Sequence, residues 1–250
     1  MLITFFNGSP RRENGVTHLM AMNFLKGAQK AGAETDYIFL ERKKIQHCMG
    51  CFACWFKTPG KCAIIDDMQD LLDRYLRSDV VVFASPIYVG SVTGIMKDFI
   101  DRLLPLFDPR LQIDDKGRNY HLSRYEHSPD VVILSNCGNP NQAHFEFFRS
   151  TFDCMKTVYR MNIIGEIFIG AGVLLKGFVP GLEDTVEQYL QLLQNSGEEI
   201  VQNRMLSKEL QQKLQKPIVP FHQAVEQANQ VIEALLDGLP EDLGSPSKKI

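Results

Sequence analysis

Four of the six cysteines fall within one short stretch, Cys48-x2-Cys51-x2-Cys54-x7-Cys62. Six cysteines spread over 250 residues would average about 0.4 in a window of that size. Thiolates at i, i+3 and i+6 on a compact loop can face one metal centre, and a fourth can close it. Four cysteine ligands suit a 4Fe-4S cluster or tetrahedral zinc. Zinc sites usually show two separated C-x-x-C pairs, whereas a close triple plus one suits iron–sulfur. Free or redox-active thiols are the third reading. Cys137 and Cys154 stand apart, and Cys154 on a helix reads as core.

A second group of residues follows the first apolar run. In GSPRRENGVT (8–17), Gly8 allows a sharp turn, Ser9 offers a hydroxyl, Arg11 and Arg12 offer charge, Asn14 an amide and Gly15 close backbone approach. Thr17 stands where a helix begins and is a candidate N-cap. A polar loop ahead of a helix amino terminus is a phosphate site, through free N–H groups and the helix dipole. No Gly-Lys-Ser/Thr and no G-x-G-x-x-G is present, which disfavours a P-loop or a dinucleotide fingerprint. Taken alone, a solvated turn capping a helix competes with this reading. A third group, Pro86-Ile87-Tyr88-Val89-Gly90, joins a strand to a helix starting near Thr93 or Gly94. An extended run with exposed backbone groups and an aromatic suits a planar heterocycle, and an ordinary strand–helix connection is its rival.

The elements that must position these groups alternate. LITFFN (2–7), DYIFL (36–40), DVVVFASP (79–86), VVILSNCGN (131–139) and NIIGEIFIGAG (162–172) read as strands. Helical spacing covers 17–31, 66–77, 94–107, 143–159 and 182–204, with Gly32 a C-cap candidate and Asp66-Asp67 a helix start. Residues 44–65 read as an irregular cysteine loop and 108–128 as a loop excursion. This alternation predicts an α/β fold: a flavodoxin-like, doubly wound, five-stranded parallel sheet of order 2-1-3-4-5, with extra C-terminal helices. Ligands of such sheets bind at the carboxyl ends of the strands, and the cysteine loop, following the second strand, is expected at that same edge. Residues 1–205 are expected to form the main domain. Residues 206–250 are expected to form a helical extension ending in a disordered tail.

NGSPR with the following Asn-Gly and Thr, DDM (66–68) and SPIYVGSVTGIMKDFIDR (85–102) together resemble the NAD(P)H-dependent FMN reductases of the flavodoxin-like superfamily. The resemblance covers residues 1–105 and continues more weakly through SNCGNPN (135–141). It implies that Ser9, Arg11, Asn14, Val16 and Thr17 hold the FMN phosphate. The loop is one residue shorter than usual, which leaves Arg12 as the alternative cation. It further implies that Pro86, Ile87, Tyr88, Val89 and Gly90 border the isoalloxazine, and that Asn136 and Gly138 form a third flavin-side turn. The cysteine motif just before DDM resembles the iron–sulfur flavoproteins of the same superfamily, which implies Cys48, Cys51, Cys54 and Cys62 as ligands of a 4Fe-4S cluster.

The implied activity is that of an oxidoreductase passing electrons from NAD(P)H through FMN to a small-molecule or protein acceptor. The cofactor carries the chemistry, so no catalytic side-chain acid or base is expected. The alternatives are an iron–sulfur flavoprotein electron carrier and a non-catalytic four-cysteine zinc module. A homodimer or homotetramer is implied by the resemblance. With 27 basic and 30 acidic residues, net charge −3, the composition argues against a nucleic-acid partner. No stretch is long and apolar enough to span a bilayer, so no membrane partner is expected. The amino terminus lacks a basic leader, and a cytoplasmic location is expected.

Overall fold

The computed structural model describes residues 1–237, so the expected disordered tail (238–250) lies outside the described residues. Five parallel strands, β1 (Leu2–Asn7), β2 (Glu34–Phe39), β3 (Val80–Pro86), β6 (Asp130–Asn136) and β7 (Ile163–Ile169), pair in the order β2-β1-β3-β6-β7. This is the expected 2-1-3-4-5 order, because β4 (Phe107–Ile113) and β5 (Asn119–Ser123) form a separate sheet. The sheet divides its side chains by the period of two that a strand imposes. Ile3, Phe5, Val80, Val82, Val132 and Leu134 face one apolar cluster, built with α1 (Val16–Lys30) and α6 (Glu183–Asn203). Phe6, Val81, Phe83, Val131 and Ile133 face the other, built with α3 (Met68–Arg77), α4 (Gly94–Asp101) and α5 (Phe145–Val158). Burial on both faces is why these strands read as continuous apolar runs.

Three expectations change. Residues 108–128 are not a loop: β4 and β5 pair antiparallel, with Leu111 opposite His121 and Ile113 opposite Asn119. Asp114 Oδ1 accepts from the amides of Lys116 and Arg118 (both 2.9 Å) and shapes the turn, in which Gly117 takes φ +72°. Leu111, Ile113 and Leu122 remain exposed, so the hairpin shows no apolar alternation against the main core. The helix expected over 94–107 stops at Asp101 and gives way to a 3₁₀ turn at Leu104–Leu106, where Pro105 cannot donate an amide. The third change concerns the carboxyl-terminal helices. Leu206, Leu210 and Leu214 are buried in the same cluster as α1 and α6, so α7 (Lys208–Leu214) belongs to the main core and not to an appendage. α8 (Phe221–Asp237) follows, and a one-turn helix, α2 (Ala53–Phe56), sits inside the cysteine loop.

Candidate functional site

Short polar side chains tie the carboxyl ends of β1, β3 and β6 together. Thr93 Oγ1 donates to Gly8 O (2.7 Å), and Ser85 Oγ accepts from Thr93 N (3.1 Å). Ser135 Oγ donates to Ser85 O (2.7 Å), and Asn136 Nδ2 donates to Thr17 Oγ1 (2.9 Å). All five side chains are buried. Buried polar atoms must be paired, so this network sets three loops in one arrangement. Thr93 is also the N-cap of α4, accepting from Met96 N.

Among these loops lies a cleft of about 210 Å³. Ser9, Arg11, Gly15, Val16 and Thr17 line it from the first loop, Pro86, Ile87 and Tyr88 from the third strand, and Asn136, Cys137 and Gly138 from β6. Val173 and Lys176 close it from the segment after β7. Larger hollows of about 320, 430 and 230 Å³ lie by the cysteine loop, on the hairpin and beside α7, but none of them is lined by the start of α1 and the loops after β1, β3 and β6.

The floor of the cleft is the amino terminus of α1. Its N-cap is Gly15, not Thr17, and no side chain caps it or places an acid in its first turn. Gly15 packs closely on Ser9: a Cβ there would stand 2.8 Å from Ser9 Oγ and would displace that hydroxyl. An uncapped helix start with half a unit of positive charge is an anion site. Of the two arginines, Arg11 lines the cleft. Arg12 takes φ +48° and turns outward to Glu41 at 3.2 Å. The Asn14 side chain is likewise absent from the lining, but its carbonyl accepts from Lys176 Nζ at 2.6 Å.

Lys176, Val173 and Cys137 escaped the sequence reading. For Lys176 no local signal exists, because it reaches the loop across 162 residues. A signal did exist for the approach of its segment, in the glycines after β7: a Cβ on Gly172 would stand 2.9 Å from Asn136 Cβ. Cys137 is buried, which pushes its thiol up, and its Sγ lies 3.1 Å from Asn139 O.

Pro86 to Tyr88 line the cleft, while Val89 and Gly90 form a tight turn beyond it. Tyr88 and Ser91 exchange both backbone hydrogen bonds (2.9 and 3.1 Å), with φ of +48° and +79° between them. That is a type I′ turn, which favours Asn-Gly. A β-branched residue there is strained by about 1 kcal/mol or more, and Val89 is fully exposed with no packing in return. Val89→Asn is expected to raise the melting temperature by roughly 2–4 °C, measured by calorimetry.

The cysteine loop is latched at its base. Lys44 N donates to Asp67 Oδ2 (2.7 Å), Gln46 N to Asp66 Oδ2 (2.9 Å) and Asp67 N to Lys44 O (3.0 Å). Asp66 also accepts both terminal nitrogens of Arg102 at 2.9 Å, and Arg102 donates to Gln46 O at 2.8 Å. The side chains of Arg102 and Asp66 are 1% and 3% exposed. The aspartate pair is therefore more than a helix start, since it holds both ends of the loop.

From this latch the loop runs down α4, away from the cleft. His47 meets Asp98 at 2.6 Å, Cys48 lines a cavity with Asp101 and Leu104, and Trp55 Nε1 donates to Leu104 O at 3.1 Å. The cleft lies at the Thr93 end of the same helix, about 12 Å away for eight residues. The expectation that the cysteines share the sheet edge with the cleft is thereby corrected. The anchors on α4 and on His121, whose ring lies 5.1 Å from Trp55, decide the course of the loop.

Cys54 is buried, Cys62 half-buried, and Cys48 and Cys51 are exposed. Burial, then the charges of Cys62, Cys48 and Cys51, push the Cys54 thiol up, so the four sulfurs lie within electrostatic reach. Among the described residues no three His, Cys, Asp or Glu side chains stand in metal-ligating geometry. The surroundings nevertheless fit an anionic centre. Arg102 Nε and Arg124 Nε and Nη2 are three of the four buried side-chain polar atoms without a partner among the described residues. The Arg124 stem passes near Gly60, its Nη1 lies 3.8 Å from Asp108, and Arg102 lies beside Cys62, so both side chains border the arm carrying the fourth cysteine. Four thiolates around a metal carry the net negative charge that such donors lack.

Residues 1–116 match the family model described as NADPH-dependent FMN reductase. An iron-sulfur flavoprotein of Methanocaldococcus jannaschii is 38% identical over 42% of this chain and 53% of its own length. One from Archaeoglobus fulgidus is 40% identical over 54% of this chain and 55% of its own length, so the chain spans about half of these curated relatives. One from Methanosarcina thermophila is 26% identical over 74% of this chain and 87% of its own length. Among solved structures, an FMN-dependent NADH-azoreductase from Bacillus anthracis superposes with TM-score 0.57 at 12% identity, over 82% of this chain and 99% of that one. An NAD(P)H:quinone oxidoreductase from Methanothermobacter marburgensis gives 0.54 at 16% identity, over 80% and 96%. At such identities these two establish the fold alone. The loops at 8–17 and 86–90 lie inside the matched 116 residues, and over that segment the chain is similar to the NADPH-dependent FMN reductase family.

Proposed function

We propose that this protein is an oxidoreductase that binds FMN in the cleft and passes electrons from NAD(P)H to a small-molecule or protein acceptor. One observation carries the reading: the uncapped start of α1 opens into a cleft holding Arg11 and Lys176, walled by Pro86–Tyr88 and Asn136–Gly138. The helix amides, Ser9 and Arg11 hold the phosphate, and the walls border the ring. Bound FMN supplies hydride acceptance and onward electron transfer; the chain supplies position and exclusion of water. Val89 and Gly90 shape the turn at the rim, and Arg12 and Asn14 support the loop from outside. A homodimer or homotetramer accords with the family.

A charge-assisted contact to phosphate contributes about 1.5 kcal/mol or more. Arg11→Gln is thus expected to weaken FMN about tenfold and to leave riboflavin, which has no phosphate, unchanged in fluorescence titration. Equal effects on both ligands would remove Arg11 from the phosphate site. Bleaching of the flavin band by NADPH and NADH in stopped flow tests the donor.

A second reading adds a 4Fe-4S cluster at Cys48, Cys51, Cys54 and Cys62. It is supported by the unpaired guanidinium nitrogens beside the thiols and by relatives named iron-sulfur flavoproteins. Anaerobic spectra with iron, sulfide, zinc and flavin analysis separate the outcomes. Flavin alone leaves redox-active thiols, stoichiometric iron and sulfide support the cluster, and zinc without flavin would overturn both redox readings.

A further inference from the structure

We propose that Arg102 is a positioning and tuning residue of the four-cysteine centre, donating its Nε–H to the sulfur of Cys62. The proposal rests on the cluster reading above. Arg102 sits at the carboxyl end of α4, fully buried, with both terminal nitrogens committed to Asp66 and Gln46 O. A guanidinium fork is planar, so two bonds to Asp66 fix the direction of Nε. That Nε is buried and has no hydrogen-bond partner, oxygen or sulfur, among the described residues, so the bond to Cys62 forms only as the centre is assembled. A buried donor without a partner is costly, about 1–3 kcal/mol, and proteins retain such groups where a ligand completes them. Cys62 lies beside the same guanidinium group. Asp66 is thus the brace, Arg102 the donor and Cys62 the acceptor, a relay running from the loop's latch to its last cysteine.

Donors and positive charge next to a metal–thiolate sulfur stabilise the more electron-rich state. Loss of the Nε–H bond therefore lowers the midpoint potential. Two variants test this. Arg102→Lys keeps the charge and loses the fork. Arg102→Gln with Asp66→Asn removes both charges, so neither is left buried alone.

The experiment uses the full chain with anaerobically reconstituted centre, iron and sulfide analysis, and redox titration followed by electron paramagnetic resonance. Both variants are expected to show a reduction equilibrium at least tenfold less favourable, equivalent to about 59 mV for one electron. Reduced wild-type protein carrying isotope-labelled arginine is expected to show a hyperfine coupling to an arginine nitrogen. Iron-loaded wild type without that coupling, or loaded variants at the wild-type potential, would overturn the proposal. Should neither variant take up iron, the wild-type coupling alone decides. Wild type that takes up no iron sinks the cluster reading itself, a result distinct from a loaded centre lacking the arginine signal.

Discussion

Asp66→Ala is expected to destabilise the protein by about 3–5 kcal/mol, the usual cost of leaving one member of a buried ion pair without its partner. Among the described residues Asp66 is the single carboxylate meeting Arg102, and both side chains are almost wholly buried. Removal strands the guanidinium with only Gln46 O, and it frees the amides of Gln46 and Met68 that Asp66 accepts. The loop between Lys44 and Asp67 loses its base, so limited proteolysis within 48–62 should accelerate before global unfolding does. Asp66→Asn retains an acceptor oxygen but neither the charge nor the bidentate geometry, and its loss should be intermediate. Denaturant titration and time-resolved digestion check the two effects separately; a variant within 1 kcal/mol of wild type would disprove the latch.

The same carboxylate gives a pH dependence. Burial raises its proton affinity, but Arg102 and the amides of Gln46 and Met68 prevail, so its pKa lies below the ordinary carboxylate value. Its contribution is fully present above the unfolded-state value, about 3.9. It is lost as pH falls through the lower folded value. Loop release in wild type therefore belongs below about pH 4.

Gly197→Ala is expected to destabilise by about 3 kcal/mol, at the upper end of overpacking costs, even though glycine to alanine inside a helix ordinarily gains about 1 kcal/mol. α1 and α6 cross with almost no side chain between them. A Cβ on Gly197 would stand 2.0 Å from Phe24 O, and one on Gly27 1.8 Å from Gln194 O. Backbone atoms cannot escape by changing rotamer, so the helices must separate. The melting temperature should fall by roughly 6–12 °C. Because the start of α1 is the proposed phosphate site, FMN affinity should fall as well. Gly94, first residue of α4, has open space around its Cβ position, so Gly94→Ala serves as the control and should be neutral or stabilising.

Much of the architecture was legible locally. The runs at 2–7, 79–86 and 131–139 declared strands buried on both faces, because a run without alternation has no face for water. Gly-Ser-Pro and Ser-Pro-Ile-Tyr marked where two of them end, and those ends line the cleft. The hairpin at 107–123 stayed hidden because its strands are exposed and carry no buried stripe. Thr17 looked like a cap from composition, but the helix starts a turn-residue earlier and Thr17 serves Asn136 instead.

What the amino-acid order determined by itself was therefore the alternation of elements, the loops bearing Ser9, Arg11 and Tyr88, and the grouping of four cysteines. Each depends on neighbours a few residues apart, where backbone propensity and side-chain period act. Tertiary structure alone decided that Arg11 and not Arg12 lines the cleft, that Lys176 joins it, that Asp66 and Arg102 close the cysteine loop, and that this loop descends α4 away from the cleft. Those outcomes depend on burial of charge and close backbone approach between segments 36 to 162 residues apart, which no local window contains.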